Sequence, residues 1–369
     1  MWRRVLALVR KEFLALLKDP KSRLVLVVPP LVQLLVFGYA ATFDLRQVPI
    51  AVLDEDRSAA SRELLAAFGA GTTFVKVAEL GSAAEIAPLV DRRRVLAVIR
   101  VGPRFADDLL SGRPAPLQVV IDGRNSNTAM VALGYVRSTV ERFNAGWRAS
   151  RGLAAPPARL EMRAWFNPNL ESRWFFIPGI VGMLTLVVTM LVTALTVARE
   201  REQGTFDQLL VTPLRPGEIL LGKALPGFVI GILQATLIMV VARAWFGVPF
   251  LGSLAAFYAG LALFLLSGVG AGLLISSLSA TQQQGLLGAF LFMVPAVILS
   301  GFATPIANMP EAVQFVTYAD PLRYFLIVLR RVFLEGAGFA LVADQLWPMA
   351  AIGAVTMSLA SWLFRHRMY

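Results

Sequence analysis

The stretch SLAAFYAGLALFLLSGVGAGLLI, residues 253–275, decides the fold of this chain. It lies inside a run of 67 residues, 244–310, that contains no Asp, Glu, Lys or Arg. A helix needs about 20 apolar residues to cross a hydrocarbon core roughly 30 Å thick. The run is too long for one crossing, and the polar segment SSLSATQQQ at 276–284 interrupts it. The run therefore predicts two membrane spans, at about 253–275 and 285–303.

Four more uncharged apolar runs, three before this stretch and one after it, are each long enough to span a membrane. They cover residues 24–43, 174–198, 224–242 and 345–364. We therefore predict a polytopic α-helical membrane protein with six transmembrane helices. The first is at 24–43, and the other five lie within 174–364.

Basic residues at both ends of the chain predict its orientation. Residues 1–23 carry seven basic and two acidic side chains, and the tail 365–369 carries Arg365 and Arg367. Short basic flanks stay in the cytoplasm, so both termini are expected there, in agreement with an even number of spans. A secretory signal usually has only about 7–15 apolar residues, which favours 24–43 as a retained span.

Residues 1–23 also predict an amphipathic helix. At about 100° per residue, seven apolar side chains share one sector, whereas the basic side chains point elsewhere. The apolar residues are Trp2, Val5, Leu6, Val9, Phe13, Leu16 and Leu17. Such a helix is typical of the inner membrane surface, and packing on a partner subunit is a compatible alternative.

Composition excludes most other classes of protein. Charged residues make up 16% of the chain and hydrophobic residues 57%, whereas an ordinary soluble domain has about 25% charged residues. Cysteine is absent and His366 is the single histidine, which argues against disulfides, thiolate or histidine metal sites and Cys/His catalysis. We therefore predict no enzyme, and no catalytic, cofactor or metal site. The net charge of +11 fits a lipid bilayer, and nucleic acid is not expected as a partner.

The segment 44–173, between the first two spans, is not membrane-like. It carries 18 basic and 14 acidic side chains, and strand-like runs alternate with helical ones. The predicted strands are 48–54, 72–78, 95–101 and 115–122, and the longest predicted helix is 125–151. We predict an inserted α/β domain with a mainly parallel sheet, placed outside the cytoplasm by the orientation above.

The second span is followed by a short loop, 199–223, with four basic and four acidic side chains. Such a loop either docks into a cytoplasmic partner or is a solvated connector, and composition alone leaves both open. Its end, Gly217 to Lys223, satisfies the phosphate-loop pattern G-x-x-x-x-G-K. However, Ala224 stands where that loop needs Ser or Thr, and no strand precedes it. We therefore reject a nucleotide site in this chain.

Several motifs in combination resemble those of type-2 ABC exporter permeases. They are REREQGTFDQLLVTP (199–213) with Gly222-Lys223 before the third span, SGFATPIANMP (300–310), DPLRYFLIVLRRVFLEG (320–336) and WFNPNL (165–170). The last motif resembles the subgroup with a large extracytoplasmic insert after the first helix. The resemblance covers nearly the whole chain.

This resemblance implies a permease in the bacterial cytoplasmic (inner) membrane. Such a subunit dimerises with a second copy or a paralogue, and separate ABC ATPase subunits bind the ATP and magnesium that drive it. A periplasmic adaptor protein is an additional candidate partner. In the family, the segment matching the loop grips the ATPase, which assigns this coupling role to Arg199, Glu200, Arg201, Glu202, Gly204, Thr205, Phe206 and Leu209. The family also implies that 304–344 forms short re-entrant helices at the outer face.

Two further sets of polar residues lie in apolar surroundings. One is a stripe on a single face of the second span, for which helix packing and a substrate path are both open. The stripe consists of Thr185, Thr189, Thr193 and Thr196. The other set is Arg330 and Arg331 in the outer segment, which need a partner at such a depth. The candidates are Asp320, Glu335, lipid phosphates and an anionic substrate head group.

The leading hypothesis is a permease that moves a hydrophobic or amphiphilic compound, drug-like or lipid, outward with ATP hydrolysed on a partner. An alternative of a different class is a membrane-anchored receptor that senses a ligand through the α/β domain. Six spans and short cytoplasmic segments disfavour a receptor. A lipid or polysaccharide permease of the same family is the third hypothesis, and the sequence does not identify the substrate.

Overall fold

The computed structural model describes residues 2–18, 20–40, 45, 47–152, 165–169, 171–206, 208, 212 and 214–366. The chain divides into two compact units. The helical unit comprises Met1–Ala41 with Ala164–Tyr369, and the insert comprises Thr42–Arg163.

The helices of the described residues are numbered in chain order. They are α1 (Trp2–Lys18), α2 (Pro20–Ala40), α3 (Ala59–Gly69), α4 (Ile86–Asp91), α5 (Phe105–Leu110), α6 (Ser126–Ser150), α7 (Ser172–Glu202), α8 (Pro216–Ala244), α9 (Leu254–Leu278), α10 (Gln282–Leu299), α11 (Glu311–Val316), α12 (Pro321–Leu334) and α13 (Phe339–His366). Helices α3 to α6 belong to the insert and the others to the helical unit.

Five helices of the described residues are long and apolar enough to cross a membrane, namely α7, α8, α9, α10 and α13. The chain is therefore a polytopic helical membrane protein. The predicted first span, 24–43, corresponds to α2, in which only Val27–Tyr39 forms a shorter apolar segment. Residues 41–43, the end of that predicted span, lie outside the described part of the chain, so a count of six spans stays a prediction.

Helices α7 and α9 lie at the centre of the helical unit. Their buried side chains pack together and against α12, where the rings of Phe264 and Phe325 stack with centroids 4.4 Å apart. Helices α10 and α13, in contrast, expose large apolar side chains such as Leu291 and Val355. Exposed apolar helix faces of this kind are expected where a helix faces lipid or another subunit.

The turn between α8 and α9 packs directly on the end of α12. Gly252 N donates to Val332 O at 2.8 Å, and Ser253 N donates to Ala337 O at 3.1 Å. A Cβ atom on Gly252 would lie 2.7 Å from Ala337 O and 2.8 Å from Val332 O. Only glycine therefore allows the two backbone segments to approach so closely.

The segment predicted to be re-entrant, 304–344, contains α11, α12 and the beginning of α13. Helix α12 starts with Pro321, a residue that suits the first helical position, and Asp320 is its N-cap. Leu322 and Phe325 are fully buried, and both contact α7 at Gly182. The α12 helix therefore packs into the helical unit along its length.

The insert is an α/β unit built on four strands, β1 (Val48–Asp54), β2 (Phe74–Glu79), β3 (Ala97–Val101) and β4 (Leu117–Ile121). Their order in the sheet is β2-β1-β3-β4, with β1 parallel to β2 and β3, and β4 antiparallel to β3. Separate apolar clusters cover the two faces of the sheet. The strands match the predicted positions to within two residues, because alternating strand-like and helical runs are a local signal. The placement of the insert outside the cytoplasm stays a prediction.

Candidate functional site

Helix α7 continues past the predicted end of the second span and stops in a glycine turn. Gly204 has a φ of +68°. Gly204 N donates to Arg201 O at 3.1 Å, and Thr205 N donates to Glu200 O at 2.9 Å. These are the two bonds of a Schellman motif, in which glycine adopts the left-handed conformation without the steric cost of a side chain. Gly204 is exposed and turns the chain sharply, as the sequence predicts.

A cluster of charged side chains, the ion cluster, joins α1, α7 and α8, and all of its members except Lys11 are buried. It consists of Lys11, Glu12, Glu200 and Lys223. Lys223 is fully buried, and its Nζ lies 2.6 Å from Glu200 Oε2 and 3.3 Å from Glu12 Oε1. Lys11 Nζ donates to Glu200 Oε1 at 2.6 Å. Two carboxylates therefore face two ammonium groups, which compensates charges that would otherwise be costly to bury.

Glu200 is consequently not available to a partner protein in this conformation. The sequence interpretation places it on a docking surface, but the structure leaves it only 6% exposed, with both oxygens facing lysines. The reason is that α1 brings Lys11 onto this side of α7. The composition of the loop does not reveal such a distant contact.

The neighbouring charges connect α7 to the turn between α9 and α10. Arg201 Nη1 donates to Ser277 O at 2.8 Å, and the guanidinium also lies over the ring of Phe206, 5.0 Å from its centroid. Glu202 Oε2 accepts from Gln282 N at 2.8 Å, so this exposed carboxylate caps the first turn of α10. The predicted coupling segment therefore contacts several helices at one end of the helical unit.

The predicted apolar edge of the loop is not a free surface. Phe206 is 7% exposed and packs edge-on against Phe364 near the end of α13, with ring centroids 6.2 Å apart. Thr205, also assigned to the coupling role, directs its hydroxyl back to Glu200 O, 3.4 Å away. Leu209 lies outside the described residues.

The threonine stripe of α7 packs inside the helical unit. Thr185 donates to Val181 O at 2.6 Å and Thr193 to Thr189 O at 2.7 Å. Thr196 likewise donates to its own helix, to Thr193 O at 2.8 Å. The stripe faces the glycines of neighbouring helices, since a Cβ on Gly272 would clash with Thr193 Oγ1. Thr185, Thr189 and Thr193 therefore take part in helix packing, whereas Thr196 also lines a polar chamber beside α1, and a substrate path along the stripe stays a prediction.

A different face of α7 lines an apolar groove of about 570 Å³. The groove lies between α2, α7 and α10, and Leu16 of α1 and Arg199 of α7 also line it. Its other lining residues are Pro29, Pro30, Gln33, Phe37, Met183, Leu184, Val187, Val188, Leu191, Val192, Leu195, Phe290, Met293, Val294, Val297 and Ile298. Volumes of about 300–1,000 Å³ are typical of sites for small molecules, and an apolar lining suits an apolar ligand.

The outer arginines have different surroundings. Arg331 pairs with Asp344 of α13 at 2.6 Å, so its partner is neither Asp320 nor Glu335. Arg330 lies over the ring of Phe175, 4.4 Å from the centroid, and burial lowers the pKa of this guanidinium.

Asp320 accepts a hydrogen bond from Leu322 N at 2.9 Å, which caps α12. Burial raises the pKa of this carboxyl to about 7, and the bond from Leu322 N and the charge of Arg323 oppose that rise. Asp320 is therefore the N-cap of α12, and its role beside the outer arginines stays a prediction.

The phosphate-loop lookalike is helical. Gly217 to Lys223 lie within α8, and the Lys223 ammonium group faces carboxylates of the ion cluster. No loop is present in this segment to surround a phosphate. Within the part of the chain that the structure describes, no three acidic or histidine side chains come together as metal ligands.

Sequence reasoning missed the ion cluster and the groove. A signal for the ion cluster was present in α1. The side chains of α1 that are buried among the described residues follow a helical spacing, and they are Val5, Leu8, Glu12 and Leu16. A glutamate within such a stripe requires a basic partner. In contrast, Trp2 and Leu6 of the predicted apolar sector are 73% and 68% exposed. The groove had no comparable signal, since α7 is apolar on every side.

Comparison with known proteins agrees with this architecture. Residues 22–362 match the family described as ABC-2 family transporter protein. The chain is 40% identical to the probable multidrug ABC transporter permease YbhR of Escherichia coli, over 100% of both chains. It is 35% identical to the probable multidrug ABC transporter permease YbhS, covering 98% of this chain and 96% of the relative. It is also 29% identical to the E. coli inner membrane transport permease YhhJ, over 96% and 95% of the two chains.

Proposed function

Since this chain belongs to the ABC-2 transporter family and is the permease subunit of an exporter, we propose that it moves hydrophobic or amphiphilic compounds outward through the apolar groove. The groove is the observation that carries this proposal. It is large enough for a drug-sized molecule, and two of its walls, α7 and α10, are helices long and apolar enough to cross a membrane. The word multidrug in the names of two relatives is consistent with a substrate range of this kind.

Filling the groove tests this route. Val187 lines the groove on α7, and Val187→Trp would occupy part of its volume. We expect export of apolar dyes from cells to fall at least tenfold, because the substrate no longer finds room. The matched control is Val355→Trp on the exposed face of α13, where the larger side chain meets no groove. Equal export by both variants would exclude the groove as the route.

The energy for export comes, in this proposal, from ATP and magnesium bound by separate ABC ATPase subunits. The surface that we assign to the ATPase is the exposed turn at the end of α7, Glu202 to Gly204. Glu202 retains an exposed carboxylate, whereas Glu200 and Phe206 act from inside by holding the turn in place. A partner that binds this turn would act directly on α7, which lines the groove.

Reversing the charge of Glu202 tests this surface. Truncation of a charge in a docking surface typically costs about 2–5 kcal/mol, whereas a solvated connector loses less than about 1 kcal/mol. We expect Glu202→Arg to lose co-purification with the cognate ATPase and stimulation of its activity in proteoliposomes. The control is Glu311→Arg, the same reversal at an exposed carboxylate that follows the far end of α10. Wild-type binding and stimulation by Glu202→Arg would contradict the assignment.

The proposed topology places the ion cluster and the α7 turn on the cytoplasmic side of the inner membrane and the insert outside. One observation supports placing four parts of the chain on the same side of the membrane. They lie together at one end of the helical unit, and they are α1, the α7 turn, Gln282 and Phe364. The basic excess of residues 1–23 selects the cytoplasm for this end. A second copy or a paralogue completes the transporter in this proposal.

A further inference from the structure

The apolar groove continues into a polar chamber at the end of the helical unit that carries the ion cluster. The chamber has a volume of about 380 Å³, and Gln203 and Thr205 are among its lining residues. Leu16, Val192, Leu195 and Arg199 line both spaces. Arg199 therefore lies where the apolar surface gives way to polar groups.

The charges around the chamber do not balance. Glu12 and Glu200 face Lys11 and Lys223, so the carboxylates of the ion cluster already have basic partners. Arg199 makes no ion pair or hydrogen bond through its side chain among the described residues, although it is half-buried beside the groove. A guanidinium at the edge of an apolar space is costly unless an anion or water meets it.

We propose that Arg199 binds the anionic head group of an amphiphilic substrate whose apolar portion occupies the groove. A guanidinium binds sulfate, phosphate or carboxylate oxygens through two parallel hydrogen bonds, which favours such heads over neutral ones. Cationic amphiphiles meet the uncompensated positive charge and bind less tightly. The inference rests on the groove being the substrate site, as proposed above, and adds the chemical class of the substrate and the residue that selects it.

A binding assay with two matched probes tests the inference. The full-length chain is placed in phosphatidylcholine nanodiscs, and the probes are a dansyl-labelled alkyl sulfate and the alcohol of the same chain. The Kd of each probe follows from dansyl fluorescence after subtraction of the signal of empty nanodiscs. We expect the sulfate to bind about tenfold more tightly than the alcohol, as one charge-assisted contact permits.

Four variants separate head-group binding from other effects. In Arg199→Gln, the affinity for the sulfate falls to that for the alcohol, whereas Arg199→Lys keeps a preference for the sulfate. Arg10→Gln removes a basic charge from an exposed position on α1, outside both spaces, and leaves both affinities unchanged. Val187→Trp weakens both probes. Equal thermal stability of Arg199→Gln and wild type serves as the check of folding.

The possible results distinguish this inference from the proposed function. If Arg199→Gln binds the sulfate as wild type does, while Val187→Trp blocks both probes, the head-group role is overturned and the groove stands. If Val187→Trp changes neither probe, the groove itself is not the site. Adding phosphatidylglycerol to the nanodiscs identifies the source of the anion. If phosphatidylglycerol weakens binding of the sulfate probe, the site also accepts an anionic membrane lipid. If binding of the sulfate probe is unchanged, the site is restricted to the added amphiphile.

Discussion

At the scale of single residues, Lys223 has the most unexpected position. It is an ammonium group without solvent exposure, on a helix that is long and apolar enough to cross a membrane. Its two carboxylate partners come from 211 residues and 23 residues earlier in the chain. Such a group persists only because both partners are present, since a lone buried charge costs several kcal/mol. The cluster therefore fixes how α1, α7 and α8 meet.

Lys223→Met tests the ion cluster. The substitution keeps the volume but leaves Glu12 and Glu200 with Lys11 alone, so we expect a loss of about 3–5 kcal/mol in stability. The measurement is the thermal unfolding of the purified protein in detergent. Lys76→Met in the insert is the control, because that exposed pair with Glu79 contributes little. A Tm change for Lys223→Met no larger than that of the control would argue against a compensated buried cluster.

At the scale of elements, α1 has two different apolar faces. Val5, Leu8 and Leu16 are buried on the helical unit, and a Cβ atom on Gly222 of α8 would clash with the Leu8 side chain. Trp2 and Leu6 are exposed, as expected for side chains that meet lipid. The α1 helix therefore packs on the helical unit of its own chain, whereas its placement at the membrane surface and its packing on a partner subunit stay predictions.

A pair of leucine substitutions on α1 separates these faces. Leu8→Ala removes a buried side chain that packs on Gly222, and we expect a loss of about 2–5 kcal/mol in stability. Leu6→Ala, two residues earlier, removes an exposed side chain and is expected to leave the stability of the detergent-purified protein nearly unchanged. Thermal unfolding measures both. The packing of α1 on α8 would be disproved by equal effects of the two substitutions.

At the scale of the whole molecule, the chain combines a helical unit and an α/β insert with separate cores. The contacts within the helical unit bring α1, the α7 turn and the end of α13 to one end. In the topology that we propose, α1 and the end of α13 therefore lie on the same side of the membrane as the α7 turn. The basic residues of 1–23 predict that this side is the cytoplasmic one.

Cysteine labelling of intact cells tests this topology, because the chain has no cysteine of its own. Ser111 is exposed in the insert and Gln203 is exposed in the α7 turn. We expect an impermeant maleimide to label Ser111→Cys in cells whose outer membrane has been made permeable, and Gln203→Cys only after lysis. The reverse pattern would invert the proposed orientation, and labelling of both before lysis would show that they share the outer side.

The sequence by itself determined the elements of this protein. Uncharged runs of about 20 residues form helices in an apolar environment because the backbone must satisfy its own hydrogen bonds there, and alternation of strand-like and helical runs marks the sheet of the insert. The glycine at position 204 is likewise a local signal for a turn, because a residue without a Cβ atom adopts a positive φ at no steric cost.

The tertiary structure alone determined which face of each helix packs inside the helical unit and which face lines the groove. Helix α7 is apolar all round, so hydropathy does not distinguish the face with Thr193, which packs on Gly272, from the face with Val187, which lines the groove. The same holds for Glu200, whose burial depends on Lys11 and Lys223 from distant parts of the chain. Local pattern determines which segments form helices, whereas burial and pairing depend on side chains that meet only after the helices have packed.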